Sequence, residues 1–124
     1  MVKSLGVDIT EISRIKADLE KFGERFVRRI LGPEEIKTYE LRRDKDSFLA
    51  GRFAAKEACI KALSAYLEER PPLDAIQIIN DPAGNPFIKF TADIVARLNG
   101  ARTLVSISHS RNNAVAVVIF EEDK

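Results

Sequence analysis

Cysteine is nearly absent from this 124-residue chain, and its single thiol, Cys59, excludes an intrachain disulfide framework and any CxxC metal spacing. One histidine, His109, leaves no second imidazole for a zinc site. No apolar run approaches membrane-spanning length, and the chain reaches an acid, Asp8, before a signal-peptide apolar region develops. An excess of one charge is missing too. Twenty basic against 19 acidic side chains leave a formal charge of +1, so there is no global field for nucleic acid or an anionic membrane. Repeats, linkers and low-complexity segments are also lacking. Together these absences predict one compact, reduced, cytoplasmic domain over residues 1–124, with charge-based recognition confined to local patches.

The patterns that are present predict an α+β fold. Val2 to Ile9 reads as a short buried strand that brings Asp8 to its end, with Thr10 as a helix N-cap. Ile12, Ile15, Leu19, Phe22, Phe26 and Ile30 recur at three- and four-residue intervals, giving an amphipathic helix interrupted near Gly23. Pro33 at the first helical position and Glu34 and Glu35 in the first turn predict a second helix to Arg42. A long alanine-lined helix follows from about Ser47 to Glu68, stopped by Arg70-Pro71-Pro72. Strands are expected at Leu73 to Asn80 and Phe87 to Phe90, then a helix from Thr91 to Leu98 closed by Asn99-Gly100. Arg102 to His109 and Ala114 to Phe120 form a hairpin around residues 110–113. Val115 to Phe120 is almost wholly apolar, so it belongs in the centre of a sheet or at a subunit contact, because an exposed edge of that kind would aggregate. The expected architecture is an antiparallel sheet packed on the long Ala-rich helix.

Reactive side chains collect in three places: Asp8, Glu57 with Lys61, and His109 with Ser108 and Ser110. Helical spacing stacks Phe53, Glu57 and Lys61 on one face at i, i+4 and i+8, a stripe able to hold a divalent metal and a phosphate together. Two carboxylates from separate elements suit magnesium, a hard cation that shares its shell with water and substrate phosphates. Read locally, the same residues also fit a solvated Glu-Lys pair, a turn acid at Asp8 and a core or interface histidine at His109. Arg14, Lys21, Arg25, Arg28 and Arg29 lie beside the apolar arc of Ile15, Phe22 and Phe26, a face that suits an acidic helix, although Glu11 and Asp18 interrupt it.

Four ordered motifs resemble the holo-acyl-carrier-protein synthase family. They are Gly6-Val7-Asp8-Ile9-Thr10-Glu11, Phe26-Val27-Arg28-Arg29-Ile30-Leu31, the long-helix segment Phe48 to Ala62, and Val105-Ser106-Ile107-Ser108-His109-Ser110. The resemblance implies the 4′-phosphopantetheinyl transferase fold, a cytoplasmic homotrimer with active sites between subunits, and a place in fatty acid biosynthesis. The implied reaction moves the 4′-phosphopantetheine arm of coenzyme A, the co-substrate, to a serine of apo acyl carrier protein and releases adenosine 3′,5′-bisphosphate. No nucleic acid or membrane is implied as a partner.

Position by position, the resemblance assigns Asp8 and Glu57 to magnesium and Lys61 to the coenzyme A diphosphate. Arg43, Lys45 and Arg52 match nucleotide-phosphate contacts, with Phe53 and Pro86 near the coenzyme, and His109 and Ser110 matching a segment that reaches it from a neighbouring subunit. Arg14, Lys21, Arg25, Phe26 and Arg29 match the carrier-docking segment. The general base stays open among Asp8, a metal-bound water and a neighbouring carboxylate, with Asp8 preferred. Two departures stand out. Leu63 to Glu68 replaces a glycine-rich stretch common after the lysine-alanine pair and should prolong the helix. Ser4 stands where a first glycine is frequent. Competing readings are a non-catalytic carrier-binding relative and a magnesium-dependent nucleotide-diphosphate hydrolase.

Overall fold

In the computed structural model, which describes residues 1–123, the alternating residues of the N-terminus form β1 (Val2–Glu11) and lead directly into α1 (Ile12–Phe22). Gly23, at φ 60, breaks the amphipathic pattern where expected and starts α2 (Glu24–Ile30). Then follow α3 (Pro33–Glu40), the long α4 (Lys45–Leu63), a single 3-10 turn (Leu73–Ala75) and the hairpin of β2 (Ile76–Asn80) and β3 (Pro86–Phe90). A short α5 (Ala92–Val95), β4 (Arg102–His109) and β5 (Asn113–Glu121) complete the chain. No helix of the described residues is long and apolar enough to cross a membrane.

β5 is the centre of an antiparallel sheet in the order β1-β5-β4, which accounts for its nearly unbroken apolar sequence. The pleat puts Gly6, Asp8 and Thr10 on the same face as Ala114, Ala116 and Val118, and α4 packs against that face. The other side of α4 meets α1, α2, α3 and β2, so the helix is enclosed nearly all round. Small residues permit this. Ala50, Ala54, Ala55, Ala58 and Ala62 are fully buried, and the buried apolar residues form one cluster around them. Gly6 lets helix and sheet approach closely, since a Cβ there would lie 2.0 Å from the carbonyl oxygen of Ala58.

β1 and α4 differ from the sequence expectation, and Leu73–Ala75, expected as the start of a strand, is a 3-10 turn ahead of β2. β1 runs on to Glu11, so Thr10 is a buried strand residue rather than an N-cap; the first helical N–H, that of Ile12, donates instead to Asn112 O at 2.9 Å. The strand is buried on one face only, with Leu5, Val7 and Ile9 on its outer face 61, 52 and 67% exposed. α4 stops at Leu63 instead of continuing to Glu68. Ser4 Oγ donates to Ala62 O at 2.8 Å and Ser64 Oγ to Lys61 O at 2.7 Å, and these hydroxyls compete for carbonyls that a longer helix would use. Ser4 thus ties the end of α4 to β1.

Candidate active site

Asp8 projects from β1 toward the last turns of α4 because it shares a face with Gly6, two residues back along the strand. Lys61 reaches it there, with Nζ donating to Asp8 Oδ1 at 3.2 Å and to Val7 O at 2.9 Å. Thr10 Oγ1 donates to the other carboxylate oxygen, Oδ2, at 3.2 Å. Asp8 is therefore oriented from two sides. Glu57 lies one turn before Lys61 on α4, half-buried, and its Oε2 accepts from the guanidinium of Arg70. Phe53 lies one turn earlier again, with the guanidinium of Arg14 on α1 stacked 5.8 Å from its ring centre. The stripe expected from sequence thus runs from Arg14 through Phe53 and Glu57 to the Lys61–Asp8 pair.

The donor set is two carboxylates on separate elements, and no group of three or more His, Cys, Asp or Glu side chains able to hold a metal occurs among the described residues. That set fits a hard cation taking few protein ligands and completing its shell with water and phosphate oxygens. It does not fit a closed structural zinc site.

A second group of expected residues gathers at the opposite end of α4. His109 rests on Gly51, where a Cβ would come within 2.6 Å of Nε2, and its Nε2–H donates to Ser47 O at 3.0 Å. Ser110 follows in the β4–β5 turn, its N–H on Asn113 O at 2.8 Å. Lys45 opens α4 with Nζ on Arg42 O at 2.5 Å, and Arg43 is exposed just before it. Nearby, Arg42 makes a two-pronged pair with Asp44 at 2.7 Å, which lowers the Asp44 pKa below the ordinary carboxylate value. Gly51 and Lys61 are ten residues apart, about 15 Å along the helix axis, so one chain does not bring His109 and Ser110 to Asp8 and Lys61. Pro86 opens β3 opposite Asn80, in the second sheet.

Arg52 corrects an expectation. It is only 8% exposed, its guanidinium stacks 4.4 Å from the centre of the Phe48 ring, and Nε faces Glu35 Oε2 at 3.9 Å without a hydrogen bond. Burial lowers its pKa, with Glu35 opposing the shift. This placement turns Arg52 toward the core rather than toward a nucleotide phosphate.

The basic segment divides at Gly23. Arg25 and Arg29 on α2 join Phe22, Phe26 and Phe53 around a groove of about 320 Å³. Lys21 stacks 5.2 Å from the Phe22 ring centre, and Arg28 turns to Glu24 at 3.5 Å. A larger cleft of about 590 Å³ opens on the far side of Glu57's partner, between Arg70-Pro71-Pro72 and the Thr91–Arg97 segment. Sequence reading missed Arg70 and Thr10 as neighbours of the carboxylates. Arg70 carried no local signal beyond its position before two prolines. Thr10 could have been found from the strand alternation, which gives it the face of Asp8.

Residues 4–118 match the family model described as the 4′-phosphopantetheinyl transferase superfamily. A holo-[acyl-carrier-protein] synthase of Nitratidesulfovibrio vulgaris is 42% identical over 124 residues, covering 98% of this chain and 99% of the relative. The solved holo-[acyl-carrier-protein] synthase of Neisseria meningitidis superposes with a TM-score of 0.89 at 32% identity, covering 98% of this chain and 100% of that one. The Helicobacter pylori enzyme, solved in complex with coenzyme A, gives 0.83 at 35% identity, covering 94% of this chain and 99% of that one.

Proposed function

Because the chain belongs to the 4′-phosphopantetheinyl transferase superfamily, we propose that it works, as one domain, as a holo-[acyl-carrier-protein] synthase. A serine hydroxyl of apo acyl carrier protein attacks the phosphorus that carries the pantetheine arm in coenzyme A. A serine O–P bond forms, the bridging O–P bond of the diphosphate breaks, adenosine 3′,5′-bisphosphate leaves, and the serine proton passes to a base. The observation that carries this reading is the Lys61–Asp8 pair, 3.2 Å long, one turn from Glu57.

Asp8 and Glu57 would hold magnesium, which supplies neutralisation of the diphosphate oxygens when bound. Lys61 would add an ammonium where charge builds on the leaving half, and Asp8, oriented by Lys61 and Thr10, is our preferred acceptor of the serine proton. The groove of Arg25, Phe26, Arg29 and Phe53, with Arg14 and Lys21 beside it, suits an acidic carrier helix and leads along α4 to Glu57.

The reading includes a cytoplasmic homotrimer. Two features support three-fold assembly: the outer sheet face leaves Leu5, Val7, Ile9 and Leu104 more than half exposed, and His109 with Ser110 stands about 15 Å from Lys61 along α4. In a closed trimer a neighbour's His109, Ser110, Arg43 and Lys45 complete the coenzyme site that Asp8, Glu57 and Lys61 begin.

Intact-mass spectrometry of apo acyl carrier protein, incubated with this protein, coenzyme A and magnesium, tests the reaction. The carrier should gain about 340 Da, and EDTA should abolish the gain. Cleaved coenzyme A with unmodified carrier would identify a hydrolase, and intact coenzyme A with bound, unmodified carrier a non-catalytic relative.

A further inference from the structure

Both carboxylates of the proposed cation pair already face a cation from their own chain. Lys61, itself 58% exposed, serves Asp8 at the edge of the α4–β1 junction. The partner of Glu57 comes from outside the helix, thirteen residues on, where Arg70 Nη2 donates to Glu57 Oε2. The fold fixes the segment carrying Arg70 on both sides. Upstream, the Tyr66 ring packs 5.4 Å from the centre of Phe120 and its hydroxyl donates to Glu122 Oε2 at 2.6 Å. Downstream, Pro71 keeps the Arg70 backbone extended, and Pro72 O accepts the Ala75 N–H at 3.1 Å. The arginine side chain itself is 59% exposed and borders the 590 Å³ cleft, so it can leave Glu57 without disturbing the core.

We propose that Arg70 is a tethered counter-cation that occupies Glu57 in the resting enzyme and releases it when a divalent cation and the coenzyme A diphosphate arrive together. The inference rests on the reading of Glu57 as a metal ligand. A cation binding alone must displace the guanidinium and then suffers its repulsion at short range. A cation arriving with a diphosphate offers the freed guanidinium a new anion, for which its planar fork is well matched. Cation and coenzyme A therefore bind synergistically, and Arg70 sets part of the coupling.

Titrating the folded protein with Mn²⁺, with free Mn²⁺ read by electron paramagnetic resonance, tests this without turnover. Wild type, Arg70→Gln and Glu57→Gln are compared with and without coenzyme A, and circular dichroism checks that each variant is folded. Arg70→Gln should bind Mn²⁺ alone roughly five- to tenfold more tightly than wild type, because a competitor and a repulsive charge are both gone. Its additional gain from coenzyme A should be smaller than that of wild type. Equal or weaker Mn²⁺ binding by Arg70→Gln, with wild-type binding still lost in Glu57→Gln, overturns the role of Arg70 and leaves Glu57 as a ligand. Unchanged binding in Glu57→Gln, or none in wild type even with coenzyme A present, overturns both.

Discussion

Replacing Lys56 by Met should destabilise the junction that holds α2, α3, α4 and β2 together. Lys56 is fully buried, and Nζ donates to Glu35 Oε1 at 2.6 Å, to Leu73 O at 3.0 Å and to Ile30 O at the end of α2. Glu35, 1% exposed, also accepts the N–H groups of Gly32 and Ile78 at 3.0 and 2.9 Å. Methionine fills nearly the same volume without a charge or a donor, so the variant leaves a buried carboxylate with Arg52 as its nearest cation, at 3.9 Å. Removing one partner of a buried pair costs about 3–5 kcal/mol, and the nearby arginine places the expected loss at the lower end, about 3 kcal/mol. For a domain of this size that is a large share of the total stability and a fall in Tm of about 10–15 °C. Urea unfolding followed by circular dichroism gives the number. Adding Glu35→Gln to Lys56→Met should recover part of the loss by removing the stranded charge. A single-variant loss under about 1 kcal/mol, or a double variant as unstable as the sum of its parts, would refute the account.

The charge reversal Arg14→Glu, beside Phe53, should raise KM for the carrier about tenfold while leaving KM for coenzyme A within about twofold, with a salt-dependent difference. Equal effects on both substrates would remove Arg14 from the carrier face. Burial pushes the Cys59 thiol up to about 12, partly opposed by Lys56, so the thiol stays protonated at pH 8. The folded protein should therefore react with a disulfide reagent only as fast as it unfolds, and rapid reaction without denaturant would contradict a sealed core.

Patterns carried by near neighbours were legible in the sequence. The Gly23 break follows from a helix period meeting the one residue suited to φ 60, and the central place of β5 follows from an apolar run with no polar face. The end of α4 was not legible. Leu63 to Glu68 has adequate helix propensity, but Ser4 lies 58 residues from the Ala62 carbonyl it takes, and Tyr66 lies 56 residues from Glu122. Long-range partners decided against propensity there.

The same distinction separates the readable and unreadable parts of the candidate site. Phe53, Glu57 and Lys61 share a face by helical spacing, whereas the link from Lys61 to Asp8 spans 53 residues and was reached through motif resemblance. Phe48, Arg52 and Lys56 form an equally regular i, i+4 stripe on the buried side of the same helix. A helix enclosed nearly all round has no polar face to mark what is exposed, so both stripes read alike until their counter-ions are placed. Glu35, 21 residues before Lys56, draws one stripe into the core, and Asp8 and Arg70 meet the other at the open edge. Which basic residue of α4 turns into the core and which stays at the open edge is thus decided by where the acids lie in the fold, and that is why helical spacing alone did not separate Arg52 from Lys61.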